Sequence, residues 1–563
     1  MHRLCLLILI VSLTRISAAQ LTDDDGNPLL PRGFAPGEAP VSAPVFRTLT
    51  QPPTEGVRAV AEWEEVEAIM VRWPNSTNPN WNLLWSQFLA PVALDLKIYV
   101  ICASTAQATA ARNYFISQGV AVDSMEFPVQ ATNSVWIRDY GPWWVWQQAS
   151  WNRGIVDWIY NRPRPADDVI PEWEANLWGI PYYGPNLVFT GGNFMVDGWG
   201  RGFCSELVLD ENVPNVDTRA ELDSVLGAFI NLDTMYTFPR FFGIDHIDMS
   251  MKLLNDHTCI LNQYPNGNAF NSVMDSCEEI LSQIQNPWGQ HVNVVRVATP
   301  SWSGGTPYTY TNAIFVNNKV LLPVYNRAED AAALAVWDSL LPGYSIHGFN
   351  CNSIIPSQGA IHCVVKEIIH RYLIRIEYPP LPEQLTEPAE AMINARVISL
   401  GNLDADSLQL FYALSEGGPW QTGTFASLGN DSFTVALPLQ PPNEPVYYYV
   451  RAKNVEGNWT SMPRYGPEAH YVTHFPPNAP QAPTELTIWR TADDIQLAWP
   501  AVTQDVYGFP ITGVNYKVYA SDDPDNVVSP VNLIVTVSDS SFTLTNGVND
   551  FTKHFFQIVS ELP

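Results

Sequence analysis

Positive charge is scarce in this chain of 563 residues: 29 Lys and Arg stand against 57 Asp and Glu, a formal net charge of −28. The acidic excess is spread along the sequence, so its surface repels phosphate backbones and anionic lipid, and no nucleic acid is expected as a partner. Cysteine is sparse as well. The seven present include no pair at metal-ligand spacing, which argues against a metal centre and against a fold held mainly by crosslinks. No internal run is long and apolar enough to insert in a membrane, and neither a clear internal repeat nor a C-terminal sorting signature is visible. What the chain has in plenty is hydrophobic residues, 46%, with 20 Trp, 23 Tyr and 24 Phe, beside 46 Pro and 33 Gly. That composition predicts a folded, loop-rich, β-heavy protein. At about 100–200 residues per domain, its length predicts two to four domains.

The opening Met1-His2-Arg3 and the apolar run Leu4 to Leu13 are too short to cross a bilayer and read as a secretory signal over residues 1–19. Ser17 and Ala19 supply the small side chains that place cleavage after Ala19, and no cysteine follows the cut to carry a lipid. A secreted location is expected, whether extracellular, periplasmic or at the cell surface. Processing would leave six cysteines: Cys102, Cys204, Cys259, Cys277, Cys351 and Cys363. Residues 20–53, rich in Pro, Gly and Asp without a sustained apolar period, predict an extended N-terminal arm or pro-segment.

From residue 54 the texture becomes mixed α/β. Ala68 to Trp73 reads as a strand ended by Pro74, Asn82 to Leu94 as an amphipathic helix, Leu96 to Ile101 as a strand, Ala106 to Gln118 as a helix and Ala121 to Phe127 as a strand. This domain is expected to run to residue 378. Beyond Pro379-Pro380-Leu381-Pro382, helical periodicity gives way to short alternating strands, and a second proline-rich break at 476–480 precedes another strand series. Two β-sandwich modules, over 379–475 and 476–563, fit these intervals.

Four segments of the large domain put polar residues where a packed core would favour apolar ones, and each has an ordinary explanation when taken alone. Trp136-Ile137-Arg138-Asp139-Tyr140-Gly141-Pro142 reads as a strand whose end carries an Arg-Asp pair, which a simple salt bridge would explain. In a strand, His246 and Asp248 share a face, consistent with an exposed pair or half a metal site. Asn312, before the apolar Ala313 to Val316, could be turn punctuation. Cys363, after Gly359 and His362, could be one more buried structural cysteine.

Together these parts suit attack on a cationic planar carbon. A guanidinium is always protonated and presents its nitrogens in a fork that carboxylates bind well. Its carbon calls for a thiolate nucleophile, and its amine leaving group for a proton donor such as His.

At these residues the chain resembles the guanidine-modifying superfamily, and within it the family of agmatine deiminases and bacterial, Porphyromonas-type, peptidylarginine deiminases. The resemblance is carried by Ala61-Glu62-Trp63-Glu64, Trp136 with Arg138-Asp139 and Gly141-Pro142, Thr190-Gly191-Gly192-Asn193-Phe194, His246 and Asp248 with Lys252 after them, Asn312, and His362-Cys363. It implies an α/β fold, a five-bladed pseudo-symmetric α/β propeller (pentein) around an acidic pocket, followed by the two β-sandwich modules. These resemble an immunoglobulin-like and a fibronectin type III domain. The resemblance also implies catalytic roles for Cys363 as nucleophile, His246 as acid and base, Asp139 and Asp248 as the guanidinium clamp, and Asn312 as a positioning group. Trp136 would stack over the substrate by cation–π contact. Asn161-Arg162-Pro163-Arg164 is similar to the peptidylarginine deiminase version, in which the paired arginines bind a substrate's C-terminal carboxylate. Neither cofactor nor metal is required, although a structural cation is compatible with the fold. The expected activity is hydrolysis of peptidyl arginine, preferentially C-terminal, to citrulline and ammonia, with arginine-containing peptides or proteins as partners. Two alternatives stand beside it: an agmatine or free-arginine deiminase, and a non-catalytic secreted adhesin.

Overall fold

The computed structural model describes residues 22, 29–41, 47–241, 243–302, 305–387, 391–400, 402–476, 478–550 and 555–562. The expected signal segment 1–19 lies outside the described residues. The chain divides into two compact units, 1–373 and 374–563.

The first unit is a mixed α/β fold containing five small sheets that share one plan: an antiparallel strand pair, a helical crossover, then a strand parallel to the pair's second member. Trp143–Gln147, Arg153–Val156 and Tyr182–Tyr183 form one such set, with the helix Ile170–Trp178 in the crossover. The next is Met195–Val196, Arg201–Ser205 and Thr234–Phe238, crossed by Arg219–Ile230. Met251–Asn255, Thr258–Gln263 and Asn293–Ala298 follow, with Phe270–Ser282 between. Ile314–Val316, Lys319–Val324 and Ser345–Asn350 form the fourth, with Asp330–Leu340. The fifth joins the two ends of the unit. Lys366–Ile369 pairs antiparallel with Val66–Arg72, which in turn pairs parallel with Lys97–Ile101 across the helix Pro79–Leu89. Parallel neighbours cannot be joined by a tight turn, so a helix spans each gap and buries its apolar side against the sheet.

Local sequence explains most of these elements. Asn78 caps the helix Pro79–Leu89 through its side chain, with Pro79 at the first position, where a missing N–H costs nothing. Thr218 and Glu221 form a capping box on Arg219–Ile230, which ends at Asn231 in the left-handed conformation. Leu222, Leu226 and Ile230 from that helix are fully buried among Trp143, Phe189, Phe194 and Met235.

Several expected strands take another form. Ala121 to Phe127 is a strand only at Met125–Glu126, because a turn from Val122 to Met125 precedes it. Trp136 to Asp139 is not a strand end. Ile137–Tyr140 is a single helical turn stopped by the extended Gly141, as the residue before Pro142 requires. His246 and Asp248 likewise belong to a turn, Ile247–Met249, and not to a strand.

Among its described residues the second unit is all β apart from single helical turns. One group comprises the antiparallel strands Ile374–Glu377, Met392–Ser399, Ser432–Ala436 and Ala426–Gly429, and a second sheet around Gln409–Ala413 and Pro445–Lys453. Side chains from both sheets, among them Ile393, Val397, Leu410, Tyr448 and Val450, share one core. The remaining strands form two three-stranded sheets, with Leu497, Trp499, Tyr516 and Val518 between them.

Ile69, fully buried in the strand that joins the ends of the first unit, measures how much that seam contributes. Ile69→Ala is expected to lower stability to chemical denaturation by about 2–5 kcal/mol. A loss below about 0.5 kcal/mol, the range of neutral surface changes, would contradict the assignment of that strand to the core.

Candidate active site

Five segments converge, and each lies just before the first strand of one of the five sheets. They are Trp136–Asp139, Thr190–Asn193, His246–Asp248, Thr309–Asn312 and His362–Cys363. Four carry a single helical turn: Ile137–Tyr140, Gly191–Asn193, Ile247–Met249 and His362–Val364. Asparagines stitch neighbouring segments together. Asn193 accepts from the Ile247 N–H at 3.3 Å, and Asn312 accepts from the Ala360 N–H at 3.0 Å.

This convergence brings Asp139, His246, Asp248, Asn312 and Cys363 into one buried pocket. Asn312 Oδ1 is 3.2 Å from Cys363 Sγ, and Asp248 Oδ2 is 3.7 Å from it. His246 Nδ1 is 3.4 Å from Asp139 Oδ1, while its Nε2 meets Thr190 Oγ1 at 3.2 Å. The sequence neighbours Arg138 and Asp139 part company. Asp139 faces the pocket, whereas Arg138 runs behind it to Glu367 at 2.7 Å and Glu62 at 3.6 Å.

The pocket is filled by a guanidinium from the chain itself. Arg32, in the N-terminal arm, is fully buried. Its Nε donates to Asp139 Oδ2 at 2.9 Å, and its Nη2 donates to Asp139 Oδ1 at 3.0 Å and to Asp248 Oδ2 at 2.9 Å. Nη2 also lies 2.8 Å from His246 Nδ1. Gly192 makes this possible, since a Cβ there would come within 1.8 Å of Nη2.

The arm's main chain is gripped on both sides of that arginine. Trp136 Nε1 donates to the Leu30 carbonyl at 2.8 Å, and the Arg32 N–H donates to the Ser357 carbonyl at 3.2 Å. Arg162 Nε donates to the Arg32 carbonyl at 3.3 Å, and Arg164 Nη2 donates to the Gly33 carbonyl at 2.9 Å while pairing with Glu38. Arg162 also lies over the Phe34 ring, 3.8 Å from its centre. Trp136 therefore meets the arm through its indole N–H, where a stack over the guanidinium was expected.

The electrostatics follow from burial opposed by ion pairing. Burial is the largest single influence and would raise the Asp139 and Asp248 carboxyls, but Arg32 together with His246 at Asp139, and with His362 and His246 at Asp248, outweighs it and holds both below the ordinary range. Burial pushes the His246 imidazole down, against the pull of Asp139. It pushes the Cys363 thiol well up. There the Arg32 cation opposes the rise and the two carboxylates add to it.

Several residues that carry the family resemblance support the pocket from behind. His362 bridges Asp248, at 2.8 Å from Nδ1, and Glu62, at 3.0 Å from Nε2. Lys252 also pairs with Glu62, and Lys366 with Glu367. Arg32 was missed altogether. A lone arginine between Pro31 and Gly33 in an aperiodic arm carries no local signal. The six described cysteines are all buried and free, with no disulfide among them. Among the described residues no cluster of three or more His, Cys, Asp or Glu side chains is placed to hold a metal ion, and no helix is long and apolar enough to cross a membrane.

Residues 58–368 match the family model of Porphyromonas-type peptidyl-arginine deiminase. A Vibrio parahaemolyticus protein named as an agmatine deiminase is 22% identical over 361 residues, covering 57% of this chain and 98% of its own. A similarly named Shewanella frigidimarina protein is 23% identical over 364 residues, covering 57% and 96%. Among solved structures, the agmatine deiminase of Enterococcus faecalis aligns with a TM-score of 0.52 at 18% identity, over 58% of this chain and 100% of its own, a likeness of fold. The mixed α/β architecture is thus pentein-like, and the chain belongs to the Porphyromonas-type peptidyl-arginine deiminase family, a family of guanidino-group deiminases.

Proposed function

We propose that the chain is a protein-arginine deiminase, hydrolysing peptidyl arginine to peptidyl citrulline and ammonia. One observation carries this choice over agmatine: the guanidinium pocket accommodates an arginine that is part of a continuing peptide, and Trp136, Ser357, Arg162 and Arg164 meet main-chain groups around it. Agmatine has no such groups. The Arg32 carbonyl under Arg162 lies where one oxygen of a C-terminal carboxylate would fall, so the same two arginines serve an internal or a C-terminal arginine. They hold the charged terminus more tightly, since hydrogen bonds between charged groups contribute more than those to a neutral carbonyl.

Asp139 and Asp248 bind the guanidinium and fix its plane. Cys363, oriented by Asn312, gives its proton to His246 and attacks the guanidinium carbon as a thiolate. His246, against Nη2, protonates the departing ammonia and then takes a proton from the water that hydrolyses the thiouronium intermediate. Burial disfavours His246 as a resting imidazolium, so the substrate's own charge is what favours the thiolate. No cofactor enters this chemistry. The five sheets, joined end to start, are taken as five blades around the pocket. Residues 379–475 and 476–563 are taken as immunoglobulin-like and fibronectin type III-like sandwiches appended to a secreted catalytic domain.

Two expectations follow. Incubated in parallel with a C-terminal arginine peptide, an internal arginine peptide, agmatine and free arginine, the protein should form ureido product fastest from the peptides, and Cys363→Ala should abolish turnover. Agmatine turned over without the peptides would make the chain an agmatine deiminase. In pH–rate profiles, bound substrate lowers the raised thiol, so the acid limb of kcat should lie at lower pH than that of kcat/KM. Coincident limbs would contradict activation of Cys363 by the substrate's charge.

A further inference from the structure

Arg32 has no part to play in deimination of another chain, yet it occupies the position that reaction reserves for the substrate. Its occupancy is built, and not a chance contact of a long side chain. The main chain is fixed at Leu30, Arg32 and Gly33 by hydrogen bonds to Trp136, Ser357, Arg162 and Arg164. Further along, Glu38 pairs with Arg164 and accepts from the Ala35 N–H, and the Val41 N–H donates to the Asn161 carbonyl. The guanidinium meets both carboxylates and His246, and Asp248 Oδ2 touches Arg32 Nη2 at 2.9 Å and lies 3.7 Å from Cys363 Sγ. Nucleophile and target thus sit against the same carboxylate oxygen.

Building on the protein-arginine deiminase assignment, we propose that Arg32 is a modification site of the enzyme's own activity: the chain deiminates Arg32 in cis, and the arm then yields the pocket to arginine on other chains. The step needs no outside reagent but water. The Cys363 thiol passes its proton to His246, and Sγ forms a bond to Arg32 Cζ. The Cζ–Nη2 bond breaks as His246 gives Nη2 its proton, and ammonia leaves. Water then bonds to Cζ through oxygen and returns a proton to His246, and the Cζ–Sγ bond breaks to restore the thiolate. The guanidinium's extra proton leaves with ammonia as ammonium.

The product is held far less firmly than the reactant. A ureido group is neutral, so its contacts to Asp139 and Asp248 lose their charge assistance and leave two buried carboxylates without a cation. Restoring a cation requires another arginine, so release of the arm and entry of substrate become a single exchange. Until that first turnover the pocket is closed to other peptides, which suits an arm that precedes the catalytic domain.

Peptide mass mapping of the full-length chain, using a protease that cleaves at glutamate, tests this directly on the segment bearing residue 32, attached or released. The wild-type protein should carry citrulline at 32 and the Cys363→Ala protein arginine. When the two are mixed, Arg32 of the Cys363→Ala chain should stay arginine, because it is sealed in its own pocket. Arginine persisting at 32 in wild-type protein that converts an added arginine peptide would overturn the proposal and leave the deiminase assignment standing. Conversion of Arg32 in the mixed Cys363→Ala chains at the wild-type rate would overturn reaction in cis. Protein that converts neither Arg32 nor any added guanidine compound would remove the deiminase assignment itself.

Discussion

Two buried carboxylates facing one small space are tenable only if a cation lies between them. Asp139 and Asp248 are withdrawn from water and would repel each other or take up protons if left alone. The guanidinium resolves this with one planar group, meeting both through short charge-assisted hydrogen bonds. Much of the surrounding structure serves that requirement. His362 holds Asp248 from behind, Glu62 holds His362, and Lys252 with Arg138 balances Glu62. The network fixes the carboxylates in place, so little reorganisation is needed when a guanidinium arrives. The same charge also opposes the effect of burial on the Cys363 thiol, which, on the proposed mechanism, couples binding to activation of the nucleophile.

The architecture supplies these groups by repetition. Each of the five sheets is entered through a short segment that ends where its first strand begins, and each such segment contributes to the pocket. Residues as distant as Asp139 and Cys363 become neighbours because the turn Ile137–Tyr140 packs against both Gly191–Asn193 and His362–Val364. A strand would have pointed alternate residues to opposite faces. A single helical turn instead lets adjacent residues diverge, so that Arg138 reaches the network behind the pocket while Asp139 reaches the guanidinium.

How far this was legible in the sequence differs between fold and site. Mixed α/β texture and the helices near Pro79–Leu89 and Thr105–Ser117 follow from periodicity that is local. The fivefold plan is not visible as a repeat, because it constrains backbone geometry and burial, which Trp143–Gln147 and Ile314–Val316 satisfy with unrelated side chains. The pocket residues were legible as a set, through polar types at the starts of apolar runs. Their secondary structure was misjudged, since a single helical turn has too few residues to show a period. Glu62, Lys252 and His362 act through other side chains, and their roles depend on distances no sequence prints. Arg32 reaches the pocket from far along the chain, held by main-chain contacts that leave no trace in residue type.

The central claim is that charge, and not shape, selects what enters the pocket. It is tested most directly by calorimetric binding to an Arg32→Gln, Cys363→Ala chain, which cannot turn over and lacks its own cation, using two peptides that differ only in arginine or citrulline. With at least two charge-assisted contacts contributing about 1.5–3 kcal/mol each, the arginine peptide should bind at least about 100-fold more tightly. Equal affinity for the two peptides would contradict the account.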